Sequence, residues 1–436
     1  MKLSSKRKRI VALAGILCLV LLLLWCEKQP TQHHTESEPL SHNTVEEAVS
    51  LKWDTLPFAN PSALCRPSDL IVDNTQTLYV ATTGGVFSHR DSIWQKVYRY
   101  TNAHTLFATQ ENALYLLPSF SRMATDICHV SLYQGDKDWH YFRQRIRRGR
   151  SERESFIQER TRATYYHPGS DFAIDEVNNY VYSLTRGYGF ILFRFDSIKQ
   201  ATPQLLPAQM HQIEVDRHRL YVSSSDSIYT SEDFGEQWRP IELPALPDTT
   251  FFVSKLFCRQ GKLLAQFKTP ILQGSKQRLF LRENNTWHDV TPSIFKEEGS
   301  ALYIHQVTQQ GDIFGLHKRT EDKIQVFEEA VHISDFGKGI YRSLFKRQTT
   351  PDLDMFVRGD YISKVFFDKT HQTVYLLMAD YTYPKGKDII LQDGKTPSYL
   401  PSTAEYRWVK EGNKSVRKLA VKPAHITVIL NTHYAL

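Results

Sequence analysis

The chain has 436 residues, 41% of them hydrophobic and 12% aromatic, with 22 Tyr and 24 Phe. That is ample for a packed core and excludes a globally disordered chain. The formal net charge is +7, but Lys2, Lys6, Arg7, Lys8 and Arg9 supply five of those charges before the first acid, Glu27, and the remaining +2 excludes a general nucleic-acid binder.

In chain order, residues 1–9 form a basic segment, expected on the cytoplasmic side. Ile10 to Cys26 is an uninterrupted uncharged run of 17 residues, at the lower end of what spans a bilayer. Trp25 suits a membrane interface, and no small-x-small cleavage site follows. Residues 10–26 are therefore predicted to be a transmembrane signal-anchor. A cleaved signal peptide and a lipoprotein acylated at Cys26 are the alternatives. Residues 27–50, rich in Gln, His, Glu, Ser, Thr and Pro, have little to bury and read as a flexible linker. The pair His33-His34 lies there without further metal-ligand partners.

From Leu51 the pattern changes to short runs of period two, closed by turn residues, the signature of half-buried strands. Asp69–Val97 compares with Gln212–Leu243: Leu78-Tyr-Val-Ala-Thr matches Leu220-Tyr-Val-Ser-Ser, Val86-Phe-Ser matches Ile228-Tyr-Thr, and Trp94 matches Trp238. Fainter copies run from Leu114 through Val130 to Trp139, from Tyr180 to Phe190, from Leu263 through Arg278 to Trp287, from Ile313 to Ile324, and from Val374 to Ile389. Seven units across roughly 340 residues give ~50 per unit, a plausible blade period. Small sheets cover their faces when stacked around an axis. The expected fold is all-β, a seven-bladed β-propeller over residues 51–436 behind an N-terminal transmembrane helix. A two-sheet sandwich or two smaller β domains are the alternatives, and six or eight blades stay open. Either residues 426–430 or residues 51–58 would supply the closing strand.

An arginine-rich insertion near 139–165 interrupts the units, with eight arginines and three glutamates between Trp139 and Arg162. It is expected to leave the propeller as a helical or irregular excursion. Arg143, Arg145, Arg147, Arg148 and Arg150 are the candidate partner-binding residues, suited to an acidic surface or polyanion. A solvated loop with Arg–Glu pairs is the plainer reading.

The sharpest motif is Ser231-x-Asp233-x-Gly235-x-x-Trp238. Asp can bond its own backbone two residues on, Gly accepts a positive φ, and Trp plugs an apolar gap. This segment resembles the Asp-box, or BNR, hairpin of sialidase-like and sortilin-like β-propellers, and photosystem II assembly factors are similar propellers. The resemblance implies that Ser231, Asp233, Gly235 and Trp238 are structural. It also raises a glycoside hydrolase of sialidase-like fold as an alternative function. That chemistry needs three arginines on the substrate carboxylate, a Tyr–Glu nucleophile pair and an acidic Asp. The family's Arg-Ile-Pro signature is missing, with only Arg66-Pro67 as an early trace.

Other chemistry leaves few traces. Gly394-Lys395-Thr396 lacks the upstream glycine of a phosphate loop, and Gly187-Tyr-Gly189 lacks the third glycine of a dinucleotide fingerprint. Cys65, Cys128 and Cys258 of the body show no Cys-x-x-Cys spacing, and core packing is expected for Cys128 and Cys258. Arg358-Gly359-Asp360 is an adhesion-type tripeptide, and Asn284 and Asn413 head acceptor sequons. No catalytic, cofactor-binding or metal residues are expected, and no cofactor. The predicted function is a membrane-anchored, periplasmic or extracellular propeller that binds a protein or glycan as an interaction or assembly module. A surface adhesin or lipoprotein is the remaining alternative.

Overall fold

The computed structural model describes residues 46–48, 52–57, 67–82, 84–98, 103–109, 111–118, 126–133, 139–145, 169–185, 191–197, 200–246, 250–269, 276–321, 324–348, 361–380, 406–411, 414–419, 425–432 and 434. Apart from single 3-10 turns at Ser293–Phe295 and Asp335–Gly337, the regular elements among them are strands. Seven of the sheets carry a core of four antiparallel strands and are the blades, and Tyr406–Glu411 pairs with Lys414–Leu419 in a separate two-stranded hairpin. The first strands of the blades are Pro67–Val72, Ala103–Ala108, Gly169–Asp175, Gln212–Asp216, Phe252–Arg259, Ser300–Val307 and Tyr361–Asp368. At five of the seven junctions, the last-to-first included, these first strands lean on one another, and apolar clusters join blades two to three and five to six, so they are the inner strands of a closed ring. The protein is a seven-bladed β-propeller.

Alternation explains the packing. Each inner and second strand sends apolar side chains to both faces of its blade, and each face meets a neighbouring blade. Seven apolar clusters result, one at every junction. Leu70, Val80 and Phe87 of blade one meet Leu377 and Val428 of blade seven. Phe257, Leu264 and Leu281 of blade five meet Leu302, Ile304 and Val331 of blade six. Each fully buried Leu, Val or Phe contributes about 1.5–3 kcal/mol. The stabilising burial is thus divided among the junctions, and no single blade is complete alone.

The late tryptophans perform one job repeatedly. Trp94 packs on the blade seven–one cluster, Trp139 on one–two, Trp238 on three–four and Trp287 on four–five. Each lies at the outer edge of its blade and covers the seam with the preceding blade. Trp53, which the sequence comparison did not align, repeats this at the last seam, with its ring 5.8 Å from Phe345 of blade six. Trp139 Nε1 donates to the Val97 carbonyl at 2.7 Å, and Trp287 Nε1 donates to the Glu242 carbonyl at 2.7 Å.

Closure uses both chain segments that the sequence offered. His425–Asn431 is the third strand of blade seven, and Asp54–Pro57 pairs with it as the outer strand, with Thr55 opposite Ile429. The Asn431 side chain donates to the Lys52 carbonyl at 2.8 Å. Ile389, the expected continuation of this unit, lies outside the described residues. Glu46–Ala48, at the end of the stretch read as a linker, adds a parallel fifth strand to blade six.

Other expectations are corrected. No helix among the described residues is long and apolar enough to cross a membrane, and residues 10–26 lie outside them. The expected N-terminal transmembrane helix is therefore not part of the described fold. The apolar side chains described here are directed into seams between blades, not onto a lipid-facing helix. The membrane partner through residues 10–26, the signal-anchor assignment and the membrane anchoring in the expected localisation are corrected with it. Trp139–Arg145, expected to open the arginine-rich insertion, is the outer strand of blade two, and residues 146–165 of that stretch lie outside the described residues.

Candidate functional site

The axis of the ring carries a belt of polar side chains. A register shift interrupts six of the seven inner strands, at residues 68, 104, 170, 254, 305 and 363. A bulge re-aims the side chain beside it and leaves ladder groups unpaired. The residues at this level supply the missing partners across the seams. Asp69 accepts the amide of Leu106 at 2.8 Å, Asp171 that of Ile213 at 3.0 Å, and Gln212 that of Leu256 at 2.8 Å. Lys255 donates to the Ile304 carbonyl at 2.8 Å, and His305 Nδ1 accepts the Val365 amide at 2.8 Å. Lys364 of blade seven then stands 2.7 Å from Asp69 of blade one.

The charges of these groups act on one another across the blades. The Lys255 ammonium, from blade five, is pushed below the usual lysine range by burial and then by Lys364 of blade seven, while Asp171, Asp69 and Glu214 of three further blades oppose that shift. Only a position near the axis brings one side chain close to so many blades. Lys255 is nonetheless exposed by surface area, so its ammonium is open to solvent while it feels the charges of the neighbouring blades. Burial lifts the Asp171 carboxyl to about 7. Burial also raises Glu214, although Arg259 approaches it at 3.1 Å. His305 is held well below its ordinary value by burial and by Lys364, Lys255 and Lys318, so it is a neutral acceptor.

At the end where the inner strands begin, Tyr303 stands 43% exposed. The Lys268 ammonium lies 4.2 Å from its ring centroid, and that of Lys318 lies 5.6 Å away. Lys318 also reaches Glu328 Oε1 at 2.6 Å, and Glu328 accepts the Ile362 amide at 2.7 Å. Burial and the charge of Lys255 bring Lys268 down to about 8.

A second array looks catalytic and is not placed for it. Ser300 Oγ is 2.8 Å from His317 Nε2, and His317 Nδ1 is 3.3 Å from Glu329 Oε2, which also accepts the Tyr341 hydroxyl at 2.7 Å. This is the order of a nucleophile, base and orienting acid. Ser300, His317 and Glu329 are 0%, 1% and 3% exposed, with Phe295 packed edge-on to the imidazole. The array ties strands of blade six together and offers no room for a substrate. His332, between Tyr434 at 2.7 Å and Asp312 at 3.3 Å, does the same for the C-terminal residues.

The residues singled out by sequence lie elsewhere. Ser231, Asp233, Gly235 and Trp238 form the turn into the outer strand of blade four. Ser231 Oγ donates to Asp233 at 2.7 Å and accepts the Gly235 amide at 2.8 Å, and Asp233 accepts the Gln237 amide at 2.9 Å. Gly235 has φ +90°, and a Cβ there would come within 2.3 Å of Gln204 Oε1. Arg143 and Arg145 belong to the outer strand of blade two, away from the lumen, while Arg147, Arg148 and Arg150 lie outside the described residues. Arg358-Gly359 lies outside them as well. Cys258 is buried beside Asp216, with Sγ 3.8 Å from a carboxylate oxygen, and burial raises its thiol. No cluster of metal-ligating side chains occurs among the described residues.

No family model and no curated protein matches the sequence. Solved structures similar in fold include the extracellular domain of BT4673 from B. thetaiotaomicron, at 11% identity and TM-score 0.45 over 75% of this chain and 38% of that one. This chain therefore spans about two fifths of that chain's length. Virginiamycin B lyase from Staphylococcus aureus is similar at 9% identity and TM-score 0.46, over 76% and 96% of the two chains. The AfRom2 CNH domain is similar at 10% identity and TM-score 0.44, over 88% and 100%.

Proposed function

We propose that this propeller is a binding module whose site is the mouth of the lumen, around Tyr303, and that it holds its ligand without transforming it. The cross-blade contacts of Asp69, Asp171, Lys255, His305 and Lys364 at the inner strands carry this reading. Concave sites on a propeller axis gather a few polar groups from many blades, the arrangement expected of ligand recognition. The carboxylates there are already engaged. Asp69 and Asp171 each accept two backbone amides, and Glu214 faces Arg259. A sialidase-like glycosidase would need free carboxyl groups and a cluster of arginines on the substrate carboxylate. The seven inner strands contain one arginine, Arg259, so they cannot build a three-arginine clamp.

Within this reading the Ser231–Trp238 turn, which resembles an Asp-box hairpin, is architectural. The arginines Arg143, Arg145, Arg147, Arg148 and Arg150 would add a contact for a larger protein or glycan partner at the rim of blade two. A thermal-shift screen with anionic, neutral and cationic small molecules tests the main claim. Hits should stabilise the wild type and lose that effect in Tyr303→Ala. Hits that stabilise both proteins equally would move the site away from the mouth.

A further inference from the structure

Resting on the lumen mouth as the binding end, we propose that it takes an oxyanion, a carboxylate or phosphate group of a small ligand, between Lys255, Lys268 and Lys318, with the Tyr303 ring as one wall. The geometry is convergent. Lys268 and Lys318 approach the same ring from blades five and six, and Lys255 is fixed by the carbonyl of the next residue, Ile304. Two ammonium groups thus lie over the exposed Tyr303 ring, and a third is held at the carbonyl of the residue that follows it.

The charges around them are unequally matched. Lys318 has Glu328 at 2.6 Å and Lys364 has Asp69 at 2.7 Å. Among the described residues, Lys255 and Lys268 have no carboxylate within ion-pair distance. Each instead lowers its proton affinity through burial and through a neighbouring ammonium. Gathering two unmatched cations inside protein walls is unfavourable by itself. An anion between them removes that cost, and it would meet up to three charge-assisted donors. The neighbouring acids do not take this role, because they are bonded to strand amides. The lumen is therefore built with cationic capacity left over at one end.

Protonation gives the test a signature. Lys268 titrates at about 8 in the free protein. An anion beside it favours the charged form, so binding near pH 8 takes up protons. Isothermal titration at constant ionic strength with citrate, acetate, methyl phosphate and inorganic phosphate as probes reads this directly, with glucose as the neutral control. Saturable binding of at least one anion is expected, with an enthalpy that changes with the ionisation heat of the buffer. Lys268→Met should weaken it by roughly tenfold to a hundredfold, the scale of one charge-assisted bond. Lys268→Arg should keep the affinity and reduce the proton uptake to what Lys255 supplies. The ratio of citrate to phosphate affinity identifies the preferred oxyanion.

Equal anion affinity in wild type and Lys268→Met, or no saturable anion binding, overturns this proposal. If a neutral ligand still binds and depends on Tyr303, the lumen remains the binding end and only the anion class fails. If binding is saturable but indifferent to both Tyr303→Ala and Lys268→Met, both readings fail.

Discussion

Lys364 in the inner strand of blade seven places its ammonium 2.7 Å from Asp69 in the inner strand of blade one. The ring is thus fastened twice where its ends meet. An ion pair holds the axis, and the pairing of Asp54–Pro57 with His425–Asn431 holds the rim. Asp69 also accepts the Leu106 and Leu70 amides, so one carboxylate connects blades seven, one and two.

Removing Lys364 leaves a buried carboxylate with amide donors only. Lys364→Met is expected to destabilise the fold by about 2–4 kcal/mol, toward the lower part of the range for breaking buried pairs because the lysine keeps some solvent contact. Asp69→Asn should recover part of that loss when combined with it. Urea denaturation of the double-mutant cycle checks this, and additive effects would show that the pair does not couple the blades.

The tryptophan seams make a finer comparison. Trp139 and Trp238 both cover a seam, but only Trp139 Nε1 has a partner, the Val97 carbonyl at 2.7 Å, whereas Trp238 Nε1 is buried without one. Phe at either position removes similar apolar volume. Trp139→Phe should cost about 1 kcal/mol more than Trp238→Phe, the net worth of one hydrogen bond. Equal shifts in denaturation midpoint would mean that the indole hydrogen bond contributes nothing beyond packing.

The seven units are legible in sequence because the second and third strands of the blades are short, largely apolar runs closed by turn residues, as at Leu78–Thr82 and Leu220–Ser223. The inner strands are harder to read. Their charged residues, Asp69, Lys255 and Lys364, follow bulges that break the period of two. The lumen is therefore assembled from the residues that local pattern would discard, each contributed by a different blade. The last blade fails for another reason. Ile389-Ile-Leu is as apolar as the segment beginning at Ile426, and local composition does not specify which run will pair with Thr373–Asp380. A usable signal was present at the end of the inner strands. Asp73, Asp175 and Asp368 each cap the following turn, accepting amides of Thr75, Val177 and Thr370 at 2.8, 3.1 and 2.9 Å. Thr109 and Thr308 do this with a hydroxyl, for Ala113 at 3.1 Å and Asp312 at 3.0 Å. That recurrence marks the first turn of five blades, more often than the Ser231–Trp238 pattern recurs.

Asp171 sets a pH dependence with a definite sign. Its folded value of about 7 lies above the unfolded value of about 4, so the folded state binds the extra proton between them. Stability from this group is full below about pH 4 and is lost as pH rises toward 7. Raised Glu214 acts in the same direction. Asp171→Asn keeps an acceptor for the Ile213 amide and removes the titration. It should flatten the fall in stability between about pH 4 and 7 and be more stable than wild type above pH 7. Urea midpoints at several pH values check this, and a variant with the unchanged wild-type slope would place the titration elsewhere.

The Ser300–His317–Glu329 array invites a chemical test, because its hydrogen-bond order alone would suggest an acyl-transfer nucleophile. Burial argues the opposite. A hydroxyl with no exposure cannot meet a substrate carbonyl, and backbone donors for an oxyanion would have to converge at a point that is filled by Phe295 and Tyr341. The array is instead a set of satisfied polar groups in an apolar junction, where loss of one partner strands another. Ser300→Ala should therefore lower stability by about 1–3 kcal/mol through the unpaired imidazole nitrogen. Intact folded protein should not be labelled by a fluorophosphonate probe. Stoichiometric labelling that disappears in Ser300→Ala would show that the junction opens and that the serine is a nucleophile.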